Sequence, residues 1–215
     1  MKIIFKDKDI IVCIKPVGML SEDGGMPDKL REECGGEIYC VHRLDRAVGG
    51  LMVFARNRKA ASAMSALISE NGLDKEYLAV VPDKLNEDCG KFEDLLFHDR
   101  QKNRSYVVKR ERGGVKKAIL EYEKLGCADS LALVRVHLIT GRSHQIRCQF
   151  ASRSMPLVGD VKYGSGVRDC DIALFSHHLS FTHPFSGETL DFTAFPTGKI
   201  WSQFISGLEK SSKKE

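Results

Sequence analysis

Residues 51–55 read Leu51-Met52-Val53-Phe54-Ala55, and the fold class turns on them. Five apolar residues in a row, preceded by Gly49-Gly50, predict a short strand of the fully buried kind. Just beyond, Asn57 offers the side-chain oxygen of an N-cap. Ala60, Ala61, Met64, Leu67 and Ile68 then fall at helical spacing until Asn71-Gly72 stops the helix. Toward the N-terminus, Ile3–Phe5 and Ile10–Ile14 read as strands, the second halted by Lys15-Pro16-Val17-Gly18, and Pro27 to Glu33 reads as a short helix. Toward the C-terminus, Tyr77–Val81 predicts a strand and is followed by a looser segment. Hairpin strands at Ser105–Lys109 and Ala118–Lys124, separated by Gly113-Gly114, come next. Leu131 to Leu138 alternates as a strand, Gly141 breaks it, and Ser143 is positioned to cap a helix with Ile146, Phe150 and Ala151 on one face. Leu174–Thr182 and Thr189–Phe195 predict strands about a turn at 183–187, and a last helix is expected over Lys199–Leu208. Strands outnumber helices, so the expectation is α+β: a mixed, mostly antiparallel sheet flanked by helices.

The 215 residues show no internal repeat and no linker. A single domain over 1–209 with a frayed tail at 210–215 is expected. No apolar run approaches the roughly 18 residues of a membrane span. The charged start Met1-Lys2-Ile3-Ile4-Phe5-Lys6-Asp7-Lys8 lacks a signal peptide's apolar stretch, so a soluble, cytoplasmic protein, monomeric by default, is expected. Seven scattered cysteines form no C-x-x-C pair. Cys34, Cys40 and His42 lack the paired spacing of structural zinc, and reduced, partly buried thiols are the better account; no metal site is expected.

The net charge of +4 is too small to argue for nucleic acid, but its distribution is uneven. Arg100, Lys102, Arg104, Lys109, Arg110, Arg112, Lys116 and Lys117 face a single acid, Glu111, in the same stretch. Such a block is either a solvated hairpin or an arm that grips phosphates by releasing counterions.

Two segments could carry chemistry. Val41-His42-Arg43-Leu44-Asp45-Arg46 sets two basic side chains and a carboxylate in a loop just before the 51–55 strand, although a surface ion pair would have the same composition. Thr140-Gly141-Arg142-Ser143-His144-Gln145-Ile146-Arg147 places donors for anions at a predicted helix start, or is simply a capped helix with exposed charges. Paired glycines without G-x-G-x-x-G or G-K-[ST] disfavour a nucleotide cofactor.

Taken together, the chain resembles the RluA family of pseudouridine synthases. The likeness rests on His42-Arg43-Leu44-Asp45 before Gly50-Leu51 and the strand ending Phe54-Ala55. It rests equally on Lys75-Glu76-Tyr77-Leu78-Ala79-Val80, with Tyr77 placed 32 residues after Asp45, and on Gly141-Arg142-Ser143-His144-Gln145-Ile146-Arg147. Lys15-Pro16-Val17-Gly18, Pro156-Leu157-Val158-Gly159-Asp160, Tyr163-Gly164 and Leu179-Ser180-Phe181-Thr182-His183-Pro184 follow the family's order, from about Ile3 to Phe195.

The resemblance implies a pseudouridine synthase-like catalytic domain with a central RNA-binding cleft, no preceding S4 domain, no cofactor and no metal. It implies isomerisation of uridines in ribosomal or transfer RNA. Asp45 would be the catalytic carboxylate, attacking the ribose at carbon 1 or removing a neighbouring ribose proton. Arg142 would hold that carboxylate ionised against desolvation. Tyr77 would stack on the displaced uracil, an interaction worth about 1–3 kcal/mol. Arg43, Gln145, Arg147 and the 100–117 segment would grip the RNA backbone. Two departures stand out: Val48-Gly49 occupies the family's usual Thr-Ser, and Phe175-Ser176 stands where His-Ala is common. They leave a catalytically inactive RNA-binding protein on the same scaffold as the alternative.

Overall fold

The apolar runs of the N-terminal third fold into β1 (Lys2–Lys6), β2 (Ile10–Lys15), α1 (Met26–Cys34), β3 (Tyr39–Cys40), β4 (Gly49–Ala55) and α2 (Arg58–Ser69). Every residue of β4 is buried, as its unbroken hydrophobicity predicts. Asn57 caps α2, its side-chain oxygen accepting the Ala60 N–H at 2.8 Å. The computed structural model describes residues 1–204, and these divide into two compact units, Met1–Lys75 with Phe175–Pro196, and Glu76–Leu174 with the described residues from Thr197.

In the first unit β2 pairs antiparallel with β1 and β4. The other edge of β4 is divided. Gly49 and Gly50 pair in parallel with Phe175 and Ser176 of β10 (Leu174–Thr182), whereas Ala55 and Phe54 pair with Tyr39 and Cys40 of β3. β10 in turn pairs with β11 (Thr189–Thr193). Ile10, Val12, Leu51, Val53, Met64, Leu73, Leu179 and Phe181 form one core, the apolar faces of these strands meeting the buried side of α2.

The second unit is an antiparallel sheet in the order β5-β9-β8-β6-β7, from β5 (Leu73–Pro82), β6 (Cys89–Asp99), β7 (Arg104–Val108), β8 (Val115–Ala128) and β9 (Leu131–Leu138). α3 (Gln145–Ser152) packs Phe150 edge-on against Phe92 and close to Tyr122. Arg153 lies over the Phe92 ring at 3.9 Å. Gly90 stands opposite Tyr122, and a Cβ there would meet the tyrosine hydroxyl at 2.7 Å.

The architecture is α+β with a mostly antiparallel sheet, as expected, and three local readings are corrected. The looser segment after Val81 is β6, an eleven-residue strand that pairs on one side with β7 and on the other with β8. Ser105–Lys109 and Ala118–Lys124 are therefore not each other's hairpin partners. Alternation along β6 is masked by charges on its exposed face, which only the neighbouring strands explain. Ser143 does not cap α3; the cap position is His144, in the left-handed region at φ 54°, and it makes no side-chain cap bond. Arg142 consequently lies ahead of the helix rather than in its first turn. The final helix begins at Lys199 and is described to Ser202; the rest of its expected span and the expected tail at 210–215 lie outside the described residues.

Gly50 adopts φ +121°, and a Cβ there would fall 2.3 Å from the Ser176 carbonyl oxygen. Both backbone strain and a clash with backbone follow from any side chain. Gly50→Ala is expected to lower the unfolding free energy by about 3 kcal/mol or more in urea denaturation, and a loss below about 1 kcal/mol would show the β4–β10 contact to be yielding.

Candidate active site

The backbone of β4 between its two partner strands has to be satisfied by side chains, because buried N–H and C=O groups are costly to leave unpaired. Ser176 Oγ donates to the Leu51 carbonyl at 2.9 Å, and the Val53 N–H donates to Nε2 of His42 at 3.1 Å. His42 therefore anchors the start of the loop that carries Asp45. Burial and the nearby Lys75 ammonium push its pKa down to about 3, so the ring is neutral and its Nε2 is occupied. An acid–base role for His42 beside Asp45 has no support in this arrangement.

The rest of the loop is clamped to residues 15–21. Ser21 and Leu44 exchange bonds, the Ser21 hydroxyl donating to the Leu44 carbonyl at 2.8 Å and accepting the Leu44 N–H at 3.0 Å. Gly18 and Arg46 do the same through the Gly18 N–H to the Arg46 carbonyl and Arg46 Nε to the Gly18 carbonyl, both at 2.8 Å. Beneath them Lys15 is fully buried, its Nζ donating to the carbonyls of Pro16, Met19 and Arg46. Desolvation lowers its pKa to about 8, opposed by the Asp45 carboxylate. The Val48 N–H closes a turn onto the Asp45 carbonyl at 2.9 Å. Asp45 is thus partly exposed on a loop whose flanks are fixed on both sides.

Both departures from the family pattern have a structural account. Val48 is buried, and Gly49 lets the loop pack closely on Lys15 and Val17: a Cβ at 49 would meet the Lys15 carbonyl oxygen and Val17 Cγ2 at 3.2 Å each. Ser176 supplies the hydroxyl that satisfies Leu51.

In the second unit Tyr77 is buried on β5 opposite Val136. Arg142 is exposed, and its Nε donates to the Lys117 carbonyl at 2.9 Å. The structure brings Gln145 to Arg142: Gln145 Oε1 accepts the Arg142 N–H at 2.9 Å and the Thr140 hydroxyl at 2.8 Å, while its Nε2 donates to the Ile119 carbonyl at 3.0 Å. Arg147 is only 5% exposed and forms a bidentate pair with the wholly buried Asp160, at 2.7 and 2.9 Å. The sequence suggested RNA contacts for Gln145 and Arg147, yet both side chains are held inside the protein, where they shape the Arg142 loop. Arg43 is on the surface in an exposed pair with Glu22 at 3.2 Å, an arrangement that costs little to exchange for a phosphate.

Three residues escaped the sequence reading as site elements: Lys15, Ser105 and Tyr163. Lys15 had a signal, a lysine in step with a buried strand and directly before Pro16-Val17-Gly18. Tyr163 had only its place in the Tyr163-Gly164 motif, which gives it no role, and Ser105 had none, since a buried serine is ordinary in a strand. In the structure Tyr163 lies between the guanidinium groups of Arg104 and Arg147, at 4.9 and 5.1 Å from its ring, and its hydroxyl accepts the Ser105 N–H at 2.7 Å. Burial raises the Tyr163 pKa to about 12.

Two outcomes follow. Because the folded chain keeps His42 neutral while the unfolded chain takes up a proton near pH 6.5, this residue subtracts stability as pH falls from about 6.5 toward 3, and that loss should be absent in His42→Gln. Acid titrations of both proteins by circular dichroism measure the difference. Arg147→Leu leaves Asp160 as an unpaired buried charge and is expected to cost about 3–5 kcal/mol in chemical denaturation; a stable variant with only weakened RNA binding would show that the pair is not structural.

Comparison with known proteins agrees with these motifs. Residues 9–152 match the RNA pseudouridylate synthase family. A dual-specificity RNA pseudouridine synthase RluA of Haemophilus influenzae is 30% identical, over 90% of this chain and 92% of its own length. A tRNA pseudouridine synthase C of Vibrio parahaemolyticus is 26% identical, over 97% and 95%. Among solved structures, human RNA pseudouridylate synthase domain containing 4 superposes with a TM-score of 0.78 at 21% identity, over 97% of this chain and 93% of that one, a likeness of fold. With the His42–Asp45 loop, the Tyr77 strand and the Arg142 loop in the family's order, the chain belongs to the RNA pseudouridylate synthase family, among its RluA-type members.

Proposed function

We propose that this protein converts uridine to pseudouridine within ribosomal or transfer RNA, with Asp45 as the catalytic carboxylate, Arg142 as its cationic partner and Tyr77 as the ring that holds the uracil. The observation that carries the reading is the anchoring of Asp45. His42, Ser21, Gly18 and Lys15 fix the loop around it, and a carboxylate held this way enters the reaction with little left to organise.

The reaction breaks the bond between ribose carbon 1 and N1 of uracil, turns the base, and joins carbon 1 to carbon 5. N1 ends with the proton that C5 loses, so no atom is gained or lost and no cofactor is required. Asp45 starts it from the ionised state, either attacking carbon 1 or removing the neighbouring ribose proton. An arginine suits the supporting role because it stays charged and offers a planar fork to a carboxylate. The uridine has to leave its stack first, at a cost of a few kcal/mol that loops and loosely paired sites reduce. Arg43 and the basic side chains of the 100–117 segment meet the phosphates. Gln145 and Arg147 act as positioning residues for the Arg142 loop. The protein acts as a monomer in the cytoplasm.

Asp45→Asn keeps the size of the side chain and removes its charge. Pseudouridine formation in total RNA from a deletion strain is expected to vanish with this variant while RNA affinity stays within about threefold of wild type, since the contacts to phosphate are untouched. Mapping pseudouridines with and without the gene identifies the RNA. Turnover by Asp45→Asn at the normal rate would sink the assignment of Asp45, and wild-type protein that binds RNA without product would favour the inactive reading.

A further inference from the structure

One buried residue ties the loop bearing Arg142 to β7. Ser105, at the start of β7, is 2% exposed. Its hydroxyl donates to the Ser143 carbonyl, directly after Arg142, and lies 3.0 Å from His98 Nδ1 on the paired strand β6. Its N–H donates to the Tyr163 hydroxyl at 2.7 Å, and that hydroxyl sits 3.0 Å from Nδ1 of His144. Ser143 and His144 are therefore both gripped from β7, one through the serine hydroxyl and one through Tyr163. On the other side Arg142 Nε is held by the Lys117 carbonyl of β8, and Thr140 by Ile119. The β6–β7 turn carries Arg100 and Lys102, and β8 carries Lys116 and Lys117.

We propose that Ser105 is a positioning residue for Arg142: it couples the strands that meet the RNA backbone to the loop that carries the guanidinium. The inference rests on the proposed role of Arg142. His144 is the strained point of this loop, a non-glycine residue at φ 54°, and such a conformation persists only where surrounding bonds over-determine it. Without the Ser105 hydroxyl the Ser143 carbonyl loses its partner and the loop can relax, moving Arg142 while the phosphate-binding side chains stay where they are. The hydroxyl thus affects the chemical step and leaves RNA capture alone.

The test is a double-mutant cycle on the full chain, with single-turnover pseudouridine formation in total RNA from a deletion strain as the readout. Ser105→Ala is expected to lower the maximal rate about tenfold, with the half-saturating enzyme concentration within about twofold and the salt dependence of binding unchanged. In an Arg142→Lys background, adding Ser105→Ala should change the rate by less than about twofold, because both act through one group. Tyr163→Phe keeps the ring between Arg104 and Arg147, removes only the hydroxyl, and should also slow the maximal rate several-fold; it serves as the second variant should Ser105→Ala not fold. A folded Ser105→Ala or Tyr163→Phe variant at the wild-type rate overturns the coupling, as do independent, multiplying effects of Ser105→Ala and Arg142→Lys. Wild-type protein without product instead overturns the proposed function itself, a distinct outcome.

Discussion

A strand buried on both faces still has two edges, and the hydrogen bonds along them must all be made. β4 meets this with four different partners on one edge: β10 at Gly49 and Gly50, the Ser176 hydroxyl at Leu51, the His42 imidazole at Val53, and β3 at Phe54 and Ala55. Because a side chain of the His42–Asp45 loop is one of those partners, the loop cannot move without unpairing the core strand. The position of Asp45 is in this sense a consequence of satisfying β4.

Lys15 extends the same logic. A fully buried ammonium is tolerated only where acceptors surround it, and three carbonyls do so, two of them from the turn that follows it and one from Arg46 beyond Asp45. The result is a cation under the Asp45 loop that ties two chain segments together, its charge supported in turn by the Asp45 carboxylate. Gly49 completes the arrangement by allowing the backbones to approach.

The second unit holds its loop by different means. Gln145 acts as a miniature strand, bonding Thr140, Arg142 and Ile119, while the buried Arg147–Asp160 pair and Tyr163 support it from below. Buried ion pairs add little net stability, but they fix geometry, and here the geometry fixed is that of a loop carrying an exposed arginine. Polar groups that look like ligand contacts in the sequence are used to hold a loop within the protein.

The sequence by itself determined the buried strand at 51–55, the capped helix after it, the strand at Leu131–Leu138 and the order of the motifs around Asp45, Tyr77 and Arg142. These are local matters of apolar periodicity, capping chemistry and short spacing, and they need no knowledge of what lies alongside. The tertiary structure alone decided that β6 separates β7 from β8, that Gln145 and Arg147 turn inward, and that Ser105 and Tyr163 brace the Arg142 loop. An amide or guanidinium can face water or a buried carboxylate with equal local propensity. Which it does depends on whether a partner such as Asp160, thirteen residues from Arg147, or Ile119, twenty-six from Gln145, is delivered to it by the fold.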